Sequence, residues 1–206
     1  MYQEHKTKCV VVTGGIACGK TVVTNFFKEL GVEIYDTDII SREVTAKGQP
    51  LLSDLAQRFG TDILDAQGEL NRRALRLKVF NNQEALNALN ALTHPAIMNE
   101  LRHRIDASLA PYVLAVIPLF FEGHHQNIAD RVLVIDVNEQ TQLQRLIKRD
   151  GMDEDTARKM VASQVPRSFR RSHADDLIET DDGNLDEIRE AVIKLHKLYL
   201  TLFKQD

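Results

Sequence analysis

The eight residues from 14 to 21 follow the pattern GxxxxGK[ST] of a loop that binds nucleotide phosphates. Glycines let such a loop curl until successive backbone N–H groups point at one anion. Lys20 would place its ammonium group on the β- and γ-phosphates, and the Thr21 hydroxyl would be a ligand of Mg²⁺. The pattern predicts a nucleotide site formed by Gly14, Gly15, Ile16, Ala17, Cys18, Gly19, Lys20, Thr21 and Val22.

The segments on either side of the loop support this prediction. Residues 8–13 form a β-branched run that predicts a buried strand, and residues 21–31 carry apolar side chains at helical spacing up to Gly31. The start of a helix has a partial positive charge that favours bound phosphate. A tight glycine turn without a ligand is the alternative, but the order strand, loop, helix favours a nucleotide site.

A second candidate group follows the next predicted strand. Asp38 would lie across the cleft from Lys20 and accept a proton from an attacking hydroxyl. Arg42, one helical turn later, shares a face with Asp38 and could hold an anionic acceptor. The alternative is that Asp36 or Asp38 simply caps the helix.

Residues 139–172 predict a basic helical hairpin. Amphipathic helices are expected at about 139–150 and 153–164, joined at Asp150-Gly151. Arginines then follow at positions 167, 170 and 171, with no acidic residue among them. A solvated hairpin with a basic face is one interpretation. Beside a phosphate-binding loop we favour the other, a mobile lid whose arginines close over the terminal phosphate.

Strand and helix signals alternate along the chain, which predicts an α/β fold with a mostly parallel five-stranded sheet. The expected strands are 8–13, 32–35, 112–117, 131–137 and 175–179. No convincing strand lies between Asp36 and Ala110, where helical segments break at Gly48-Gln49-Pro50, Gly60, Gly68 and Pro95. We interpret that stretch as a helical insertion over the carboxyl ends of the strands, the edge where ligands bind.

The composition is typical of one globular core with room for an inserted subdomain. The 206 residues are 43% hydrophobic and 27% charged, and the formal net charge of −4 argues against broad binding of nucleic acid. The longest apolar stretch, 113–121, contains a proline and is too short to cross a membrane. Residues 1–8 contain no apolar targeting region, and two cysteines give neither a disulfide framework nor a metal site. We therefore expect a cytoplasmic location.

Beyond the phosphate loop, further motifs follow in order along nearly the whole chain. They are Asp36-Thr37-Asp38-Ile39-Ile40-Ser41-Arg42, Asn71-Arg72-Arg73-Ala74-Leu75, Leu92-Thr93-His94-Pro95, Pro118-Leu119-Phe120-Phe121-Glu122 and Ala174-Asp175-Asp176-Leu177-Ile178. In these motifs and their spacing the chain resembles the dephospho-coenzyme A kinase family. The resemblance implies a P-loop kinase that transfers the γ-phosphoryl group of ATP, with Mg²⁺, to the ribose 3′-hydroxyl of dephospho-CoA. That transfer is the last step of CoA biosynthesis.

The resemblance also implies three parts. A nucleotide-binding core would comprise 1–37 with 111–138 and 173–206, a helical substrate domain would comprise 38–110, and a lid would comprise 139–172. It does not imply an obligatory protein partner, and it fits the expectation that neither nucleic acid nor a membrane is bound.

Roles for single residues come from the same resemblance. Asp38 would orient the 3′-hydroxyl and accept its proton, while Lys20 with the lid residues Arg145 and Arg149 would hold the phosphates. Thr21 would hold Mg²⁺, and the turn at Gly183 would approach the adenine through backbone groups. The acceptor pocket would contain Arg42, Arg73, His94 and Glu122. His94 could instead end a helix before Pro95, Glu122 could instead support the metal, and one of Arg72 and Arg73 would be solvated.

Two positions of the loop depart from the family's pattern. Ala17 and Cys18 stand where the family usually has Gly and Ser. Alanine restricts φ where glycine does not, but the backbone N–H groups that bind phosphate remain. Cys18 beside Lys20, at a helix start, would favour a thiolate whose oxidation blocks ATP binding. The alternative is a small residue that fills space.

Three other functions compete with this interpretation. Another small-molecule kinase would share the loop and the lid but would have a different acceptor pocket. A GTPase-type switch would need more than the DxxG match of residues 65–68, because the sequence contains no Asn-Lys-x-Asp segment. A metal-dependent hydrolase would need converging histidines, and the adjacent His124 and His125 would not converge on one ion.

Overall fold

Five strands form one sheet in the order β2-β3-β1-β4-β5. The computed structural model describes residues 7–123, 126–181 and 183–204. The strands are β1 Lys8–Gly14, β2 Ile34–Asp36, β3 Tyr112–Val116, β4 Arg131–Asp136 and β5 Asp176–Glu179. β1 pairs in parallel with β3 and β4, and β4 pairs in parallel with β5. The predicted α/β fold and all five strands are confirmed, with small differences at the strand ends.

The middle of the sheet is buried on both faces, as is usual for parallel strands covered by helices. Val10, Val11 and Val12 of β1 are fully buried. Helix α1, Lys20–Glu29, packs beside α9, Leu185–Leu202, and both contribute to the largest apolar core. Phe27 of α1 stacks on Tyr199 of α9 with 6.3 Å between ring centroids. The apolar runs that predicted the strands therefore form the main hydrophobic core.

The chain forms two compact units. One extends from the start of the described chain to Tyr35 and resumes at Ile105, and the other is Asp36–Arg104. The remaining helices are α2 Thr37–Val44, α3 Pro50–Phe59, α4 Arg72–Val79, α5 Gln83–Ala107, α6 Glu139–Asp150, α7 Glu154–Ala162 and α8 Arg167–Ser172. Residues 37–110, all of them described, are helical with loops and one isolated bridge between Leu64 and Leu70, as the sequence predicts. This unit has its own apolar core of Leu51, Leu55, Phe59, Ile63 and Leu75.

Helix α5 continues through Pro95, so the predicted helix break at this proline is wrong. Proline has no N–H group and cannot donate to the carbonyl four residues earlier, which usually kinks or ends a helix. The side chains of Leu89, Leu92 and Ala96 on either side of the proline pack against the core of the second unit. This packing holds both halves of the helix in place across the missing hydrogen bond. The alternative in which His94 ends a helix is therefore also wrong.

Residues 139–162 form the predicted helical hairpin, which lies within the first unit. Asn138 and Asp153 cap α6 and α7, because their side chains accept hydrogen bonds from the backbone of Thr141 and Thr156. Between the helices Gly151 has φ 65°, the left-handed conformation that glycine adopts readily. Leu143, Leu146 and Ala157 form the apolar core of the hairpin. The hairpin that sequence periodicity predicts is confirmed.

Candidate active site

The phosphate-binding loop leaves β1 at Gly14 and enters α1 at Lys20. A β-carbon at Gly14 would lie 2.3 Å from the carbonyl oxygen of Ile135 in β4. A β-carbon at Gly15 would lie 2.4 Å from Nε2 of Gln142 in α6. A side chain at Gly14 would collide with the backbone of β4, so glycine is needed there for the loop to lie this close to the strand. A side chain at Gly15 would instead have to displace the amide group of Gln142.

The turn of the loop is tight. The N–H group of Cys18 donates to the carbonyl of Gly15 at 3.2 Å. Gly19 has φ 89° and Ala17 has φ 58°, both in the left-handed region. A residue with a β-carbon loses roughly 1–2 kcal/mol in this region relative to its ordinary conformations. Ala17, where the resemblance expects glycine, therefore strains the loop backbone.

The two cysteines are both buried. Cys18 is 1% exposed within the main core, and its Sγ lies 3.6 Å from Nζ of Lys20. Cys9 in β1 is 2% exposed, and burial, with a contribution from Asp130, raises the pKa of its thiol to about 12. The space-filling interpretation of Cys18 is the one that this burial supports. Its sensitivity to oxidants stays a prediction.

Lys20 lies against the loop that precedes it. Its Nζ donates to the carbonyl oxygens of Gly14 at 2.9 Å and of Gly15 at 3.2 Å. Thr21, the next residue of α1, is exposed. The first turn of α1 thus combines a cation, an exposed hydroxyl and the N–H groups of a helix start that has no side-chain cap, an arrangement suited to phosphate.

Two glutamines of the hairpin segment hold the peptide groups of Ile16. Nε2 of Gln142 donates to the Ile16 carbonyl at 2.8 Å, and the Ile16 N–H donates to Oε1 of Gln164 at 2.8 Å. Gln142 is 1% exposed, so its amide is almost entirely removed from solvent. These hydrogen bonds fix the loop from the side of residues 139–172. Sequence reasoning missed both glutamines, because a glutamine in an amphipathic helix looks like any solvated polar residue.

The predicted lid arginines differ in their contacts. Arg145 lies at the loop, where its Nη1 donates to the Ala17 carbonyl at 3.4 Å and to the Thr180 hydroxyl at 3.2 Å. It also donates to the Thr180 carbonyl. Arg149 pairs with Asp150 at 2.7 Å, and its side chain is 62% exposed. Arg145 is thus brought to the loop by direct contact, while Arg149 is held at the surface by its neighbour.

A cavity of about 620 Å³ opens beside the loop, within the range of small-molecule sites. It brings together several residues predicted for the nucleotide: Ala17, Cys18, Gly19, Lys20, Thr21, Val22, Arg145, Arg149 and Gly183. Gly14, Gly15 and Ile16 are not among the lining residues. Lys148, Thr180, Leu185 and Ile188 complete the lining, and the sequence did not indicate Leu185 or Ile188. Leu185 and Ile188 supply an apolar wall of the kind that suits an aromatic base.

A buried carboxylate at the end of β4 neutralises two arginines of α8. Asp136 is 2% exposed and forms ion pairs with Arg167 and Arg171, and Arg171 pairs also with Glu179. Burial raises the pKa of Asp136, but hydrogen bonds from the two guanidinium groups outweigh that effect and lower it overall. The sequence did not indicate these ion pairs, because an aspartate at the end of an apolar strand is typical of a solvent-exposed strand end.

In the second unit, Asp36 and Asp38 have different positions on α2. The Asp36 carboxylate accepts a hydrogen bond from the N–H of Asp38 at 2.8 Å, so Asp36 is the helix cap of the alternative interpretation. Asp38 lies in the first turn and is exposed. Arg42, also exposed, follows four residues later on the same helix face. The carboxylate of Asp38 and the guanidinium group of Arg42 therefore lie on one face of α2.

The predicted acceptor residues of α4 and α5 are at the surface. Arg73 in the first turn of α4 and His94 in the middle of α5 are both exposed. Arg72 instead donates to the hydroxyl of Thr45 at 2.7 Å. Burial and the nearby Arg42 cation lower the pKa of Arg72. Of the two adjacent arginines, Arg72 is thus the one that joins α2, a contact that the sequence did not indicate.

Glu122 contacts the segment that precedes α8. Its Oε1 accepts a hydrogen bond from the N–H of Val165 at 3.0 Å. This contact gives Glu122 a structural role, and a role in the acceptor pocket stays a prediction. His124 and His125, the pair considered for a metal-dependent hydrolase, lie outside the described residues, as do residues 1–6 and Asp182. The described part of the chain contains no group of three or more His, Cys, Asp or Glu that could hold a metal ion.

A family model described as Dephospho-CoA kinase matches residues 8–187. The chain belongs to the dephospho-CoA kinase family. A relative named Dephospho-CoA kinase from Mannheimia succiniciproducens is 46% identical, and the match covers 95% of this chain and 93% of the relative. Another of that name from Escherichia coli K12 is 43% identical over 95% of both chains. The family resemblance of the sequence motifs is thereby confirmed.

Solved structures agree with this membership of the dephospho-CoA kinase family. The crystal structure of TT1252 from Thermus thermophilus has a TM-score of 0.82 and 26% identity, covering 95% of this chain and 99% of its own. Dephospho-CoA kinase from Campylobacter jejuni has a TM-score of 0.66 and 24% identity, with coverage of 95% and 98%. At that identity the second likeness supports the fold alone. The predicted P-loop kinase core is confirmed.

Proposed function

We propose that this chain transfers the γ-phosphoryl group of ATP to the ribose 3′-hydroxyl of dephospho-CoA, which is the last step of CoA biosynthesis. The observation that carries the proposal is the loop beside the cavity, with Lys20 and Arg145 both in contact with loop carbonyls. Membership of the dephospho-CoA kinase family supports the choice of acceptor.

Phosphoryl transfer needs positive charge around the equatorial oxygens and an in-line nucleophile. Lys20 and Arg145 have backbone carbonyl and hydroxyl partners, so no acidic side chain among their described contacts neutralises them. Both charges are therefore available to the phosphates. We assign Arg149 to the same task, because it lines the cavity although it pairs with Asp150.

We assign most of the acceptor side to the second unit, which contains Asp38, Arg42, Arg73 and His94, while Glu122 belongs to the first unit. Asp38 would orient the 3′-hydroxyl and take its proton as the oxygen attacks phosphorus. Its place in the first turn of α2, beside the Asp36 cap, fixes its backbone. Arg42, Arg73 and His94, with Glu122, would hold the anionic and polar groups of dephospho-CoA.

Thr21 would hold Mg²⁺ together with oxygens of the nucleotide phosphates. Its hydroxyl is a hard oxygen donor on the exposed first turn of α1, which fits the preference of Mg²⁺ for oxygen ligands. When bound, the ion would neutralise phosphate charge. A magnesium ion in this class of site takes few protein ligands and completes its shell with phosphate and water.

The test is a phosphorylation assay with ATP, Mg²⁺ and dephospho-CoA, using AMP and adenosine as control acceptors. We expect a product heavier by one phosphate only with dephospho-CoA. Lys20→Ala should abolish its formation, while Lys28→Ala, an exposed lysine in the last turn of the same helix, should not. Equal turnover of AMP, or unchanged turnover by Lys20→Ala, would reject the proposal.

No helix within the described residues is both long and apolar enough to cross a bilayer. A cytoplasmic location and independence of any obligatory protein partner stay predictions from the sequence. Cell fractionation and size-exclusion chromatography of the active enzyme would test them.

A further inference from the structure

The three arginines of α8 have different electrostatic surroundings. Arg167 and Arg171 are each paired with Asp136. Arg170 is 6% exposed, the most buried of the three, and no carboxylate of the described residues forms an ion pair with it. The cluster that sequence reasoning treated as one basic patch therefore divides into two neutralised cations and one buried cation without a counter-ion.

The guanidinium group of Arg170 lies against the phosphate-binding loop. Its Nη2 is 3.0 Å from the position that a β-carbon of Gly15 would occupy. Its Nη1 donates to the carbonyl of Val165 at 2.5 Å, while its buried Nε has no hydrogen-bond partner among the described residues. Arg170 is thus tethered by one nitrogen and has donors left over beside Gly15.

The tether of Arg170 is itself fixed. The N–H of Val165 donates to Glu122, so the residue whose carbonyl anchors Arg170 is itself held by a second hydrogen bond. The neighbouring loop residue Ile16 is held by Gln142 and Gln164. Arg170 and the loop are therefore positioned relative to each other by hydrogen bonds that need no ligand.

A buried cation without a counter-ion is costly, because burial removes it from water and one hydrogen bond to a carbonyl returns only part of the lost interaction. Charged groups that burial perturbs cluster at functional sites, and the ligand that would neutralise a guanidinium group there is an anion. The anion expected next to Gly15 is the terminal part of a nucleoside triphosphate. Lys20, which reaches the β- and γ-phosphates in loops of this kind, has its Nζ at the Gly15 carbonyl.

We propose that Arg170 contacts the terminal phosphate of bound ATP and is neutralised by it. This inference rests on the proposed nucleotide site. The loop supplies backbone donors, Lys20 supplies one cation, and Arg170 supplies a second cation from the side of α8. Arg167 and Arg171 hold α8 to β4 through Asp136 and do not contact phosphate.

The test compares ATP with ADP in the full-length chain. Arg170→Met keeps an unbranched apolar stem and removes the guanidinium group. Arg158→Met is the matched control, because Arg158 is an exposed arginine of α7 that pairs with Glu154. Dissociation constants for both nucleotides are measured by calorimetry without acceptor. We expect Arg170→Met to weaken ATP binding about 10- to 100-fold and ADP binding far less, so that the preference for ATP falls. An unchanged ATP-to-ADP preference would overturn the proposal.

Thermal unfolding without nucleotide shows whether Arg170 binds phosphate or instead stabilises the fold. Removing a buried charge that has no counter-ion should leave the midpoint unchanged or raise it, whereas loss of a structural arginine should lower it. If Arg170→Met does not fold, Arg170→Gln is used for the same comparison. Should wild type bind ATP but leave dephospho-CoA unmodified, the proposed acceptor fails and the Arg170 result still stands on its own.

Discussion

Ala17 has a left-handed backbone conformation in the middle of the phosphate-binding loop, at φ 58°. Glycine adopts this conformation without the steric contact that a β-carbon makes with its own backbone. The loop therefore retains a strained residue at a position that faces the nucleotide cavity. Hydrogen bonds of the flanking residues Ile16 and Cys18 hold Ala17 in this conformation.

We expect Ala17→Gly to raise the free energy of unfolding by roughly 1 kcal/mol, because it relieves the left-handed strain. Ala91→Gly, at an exposed position inside α5, is the control and should lower it by about 1 kcal/mol. Urea denaturation measures both. A loss of stability in Ala17→Gly equal to that of the control would contradict the argument.

The two aspartates of α2 allow a sharp test of catalysis at single residues. Asp38→Asn should lower kcat by about 10²–10⁴-fold with ATP binding retained, since it removes the proposed base and little else. Asp36→Asn should keep kcat near that of wild type, because asparagine caps helices as well as aspartate does. Steady-state kinetics and ATP titration distinguish the two outcomes. Full activity of Asp38→Asn would exclude a catalytic role for this carboxylate.

At the scale of elements, the contact of α8 with β4 depends on one buried carboxylate. Asp136 accepts from Arg167 and Arg171, and its pKa is lowered in the folded protein. A carboxyl group whose pKa is lowered by folding stabilises the protein above its unfolded pKa of about 3.9. That stabilisation is lost as the pH falls through the folded value.

Asp136→Asn should therefore lower the free energy of unfolding at pH 7 by about 3–5 kcal/mol, because it leaves two arginines without their buried partner. The difference from wild type should shrink as the pH falls below about 4, where the wild-type carboxyl also takes up a proton. Urea denaturation at a series of pH values measures it. A difference that does not depend on pH would show that the ion pairs contribute nothing.

Elements with a strong local signal were predictable from the sequence, and contacts between distant elements were not. The apolar run of β1 and the GxxxxGK[ST] pattern placed Lys20 and Thr21 without any knowledge of the rest of the chain. The contacts of Gln142 and Gln164 with the loop join residues 126 and 148 positions apart, and no periodicity encodes such a pairing. Pro95 was misjudged for a related reason, since packing overcame a local preference.

At the scale of the whole molecule, the described chain consists of two units that each have their own apolar core. The phosphate-binding loop, the cavity and the buried Arg170 all belong to the first unit. The proposed base Asp38 belongs to the second. We therefore expect the first unit to bind the nucleotide and the second unit to supply Asp38 and most of the acceptor pocket.

Amide hydrogen exchange measured with ATP alone tests whether the nucleotide is bound by the first unit only. We expect slower exchange in the first unit, above all at residues 14–21 and in α6, because the ligand is bound by groups of that unit. Residues 50–80 of the second unit should exchange as in the free protein until dephospho-CoA is added. Protection of residues 50–80 by ATP alone would contradict the assignment.

The burial of both thiols makes the natural chain a convenient host for site-specific fluorescent labelling. Maleimide dyes react with accessible thiolates, and Cys9 and Cys18 are 2% and 1% exposed. A single new cysteine on the outer surface of α7, such as Lys159→Cys, would then take up dye over a very low background. A change in its emission during nucleotide titration would show whether the hairpin moves as the lid prediction expects, in an enzyme whose own cysteines need not be removed.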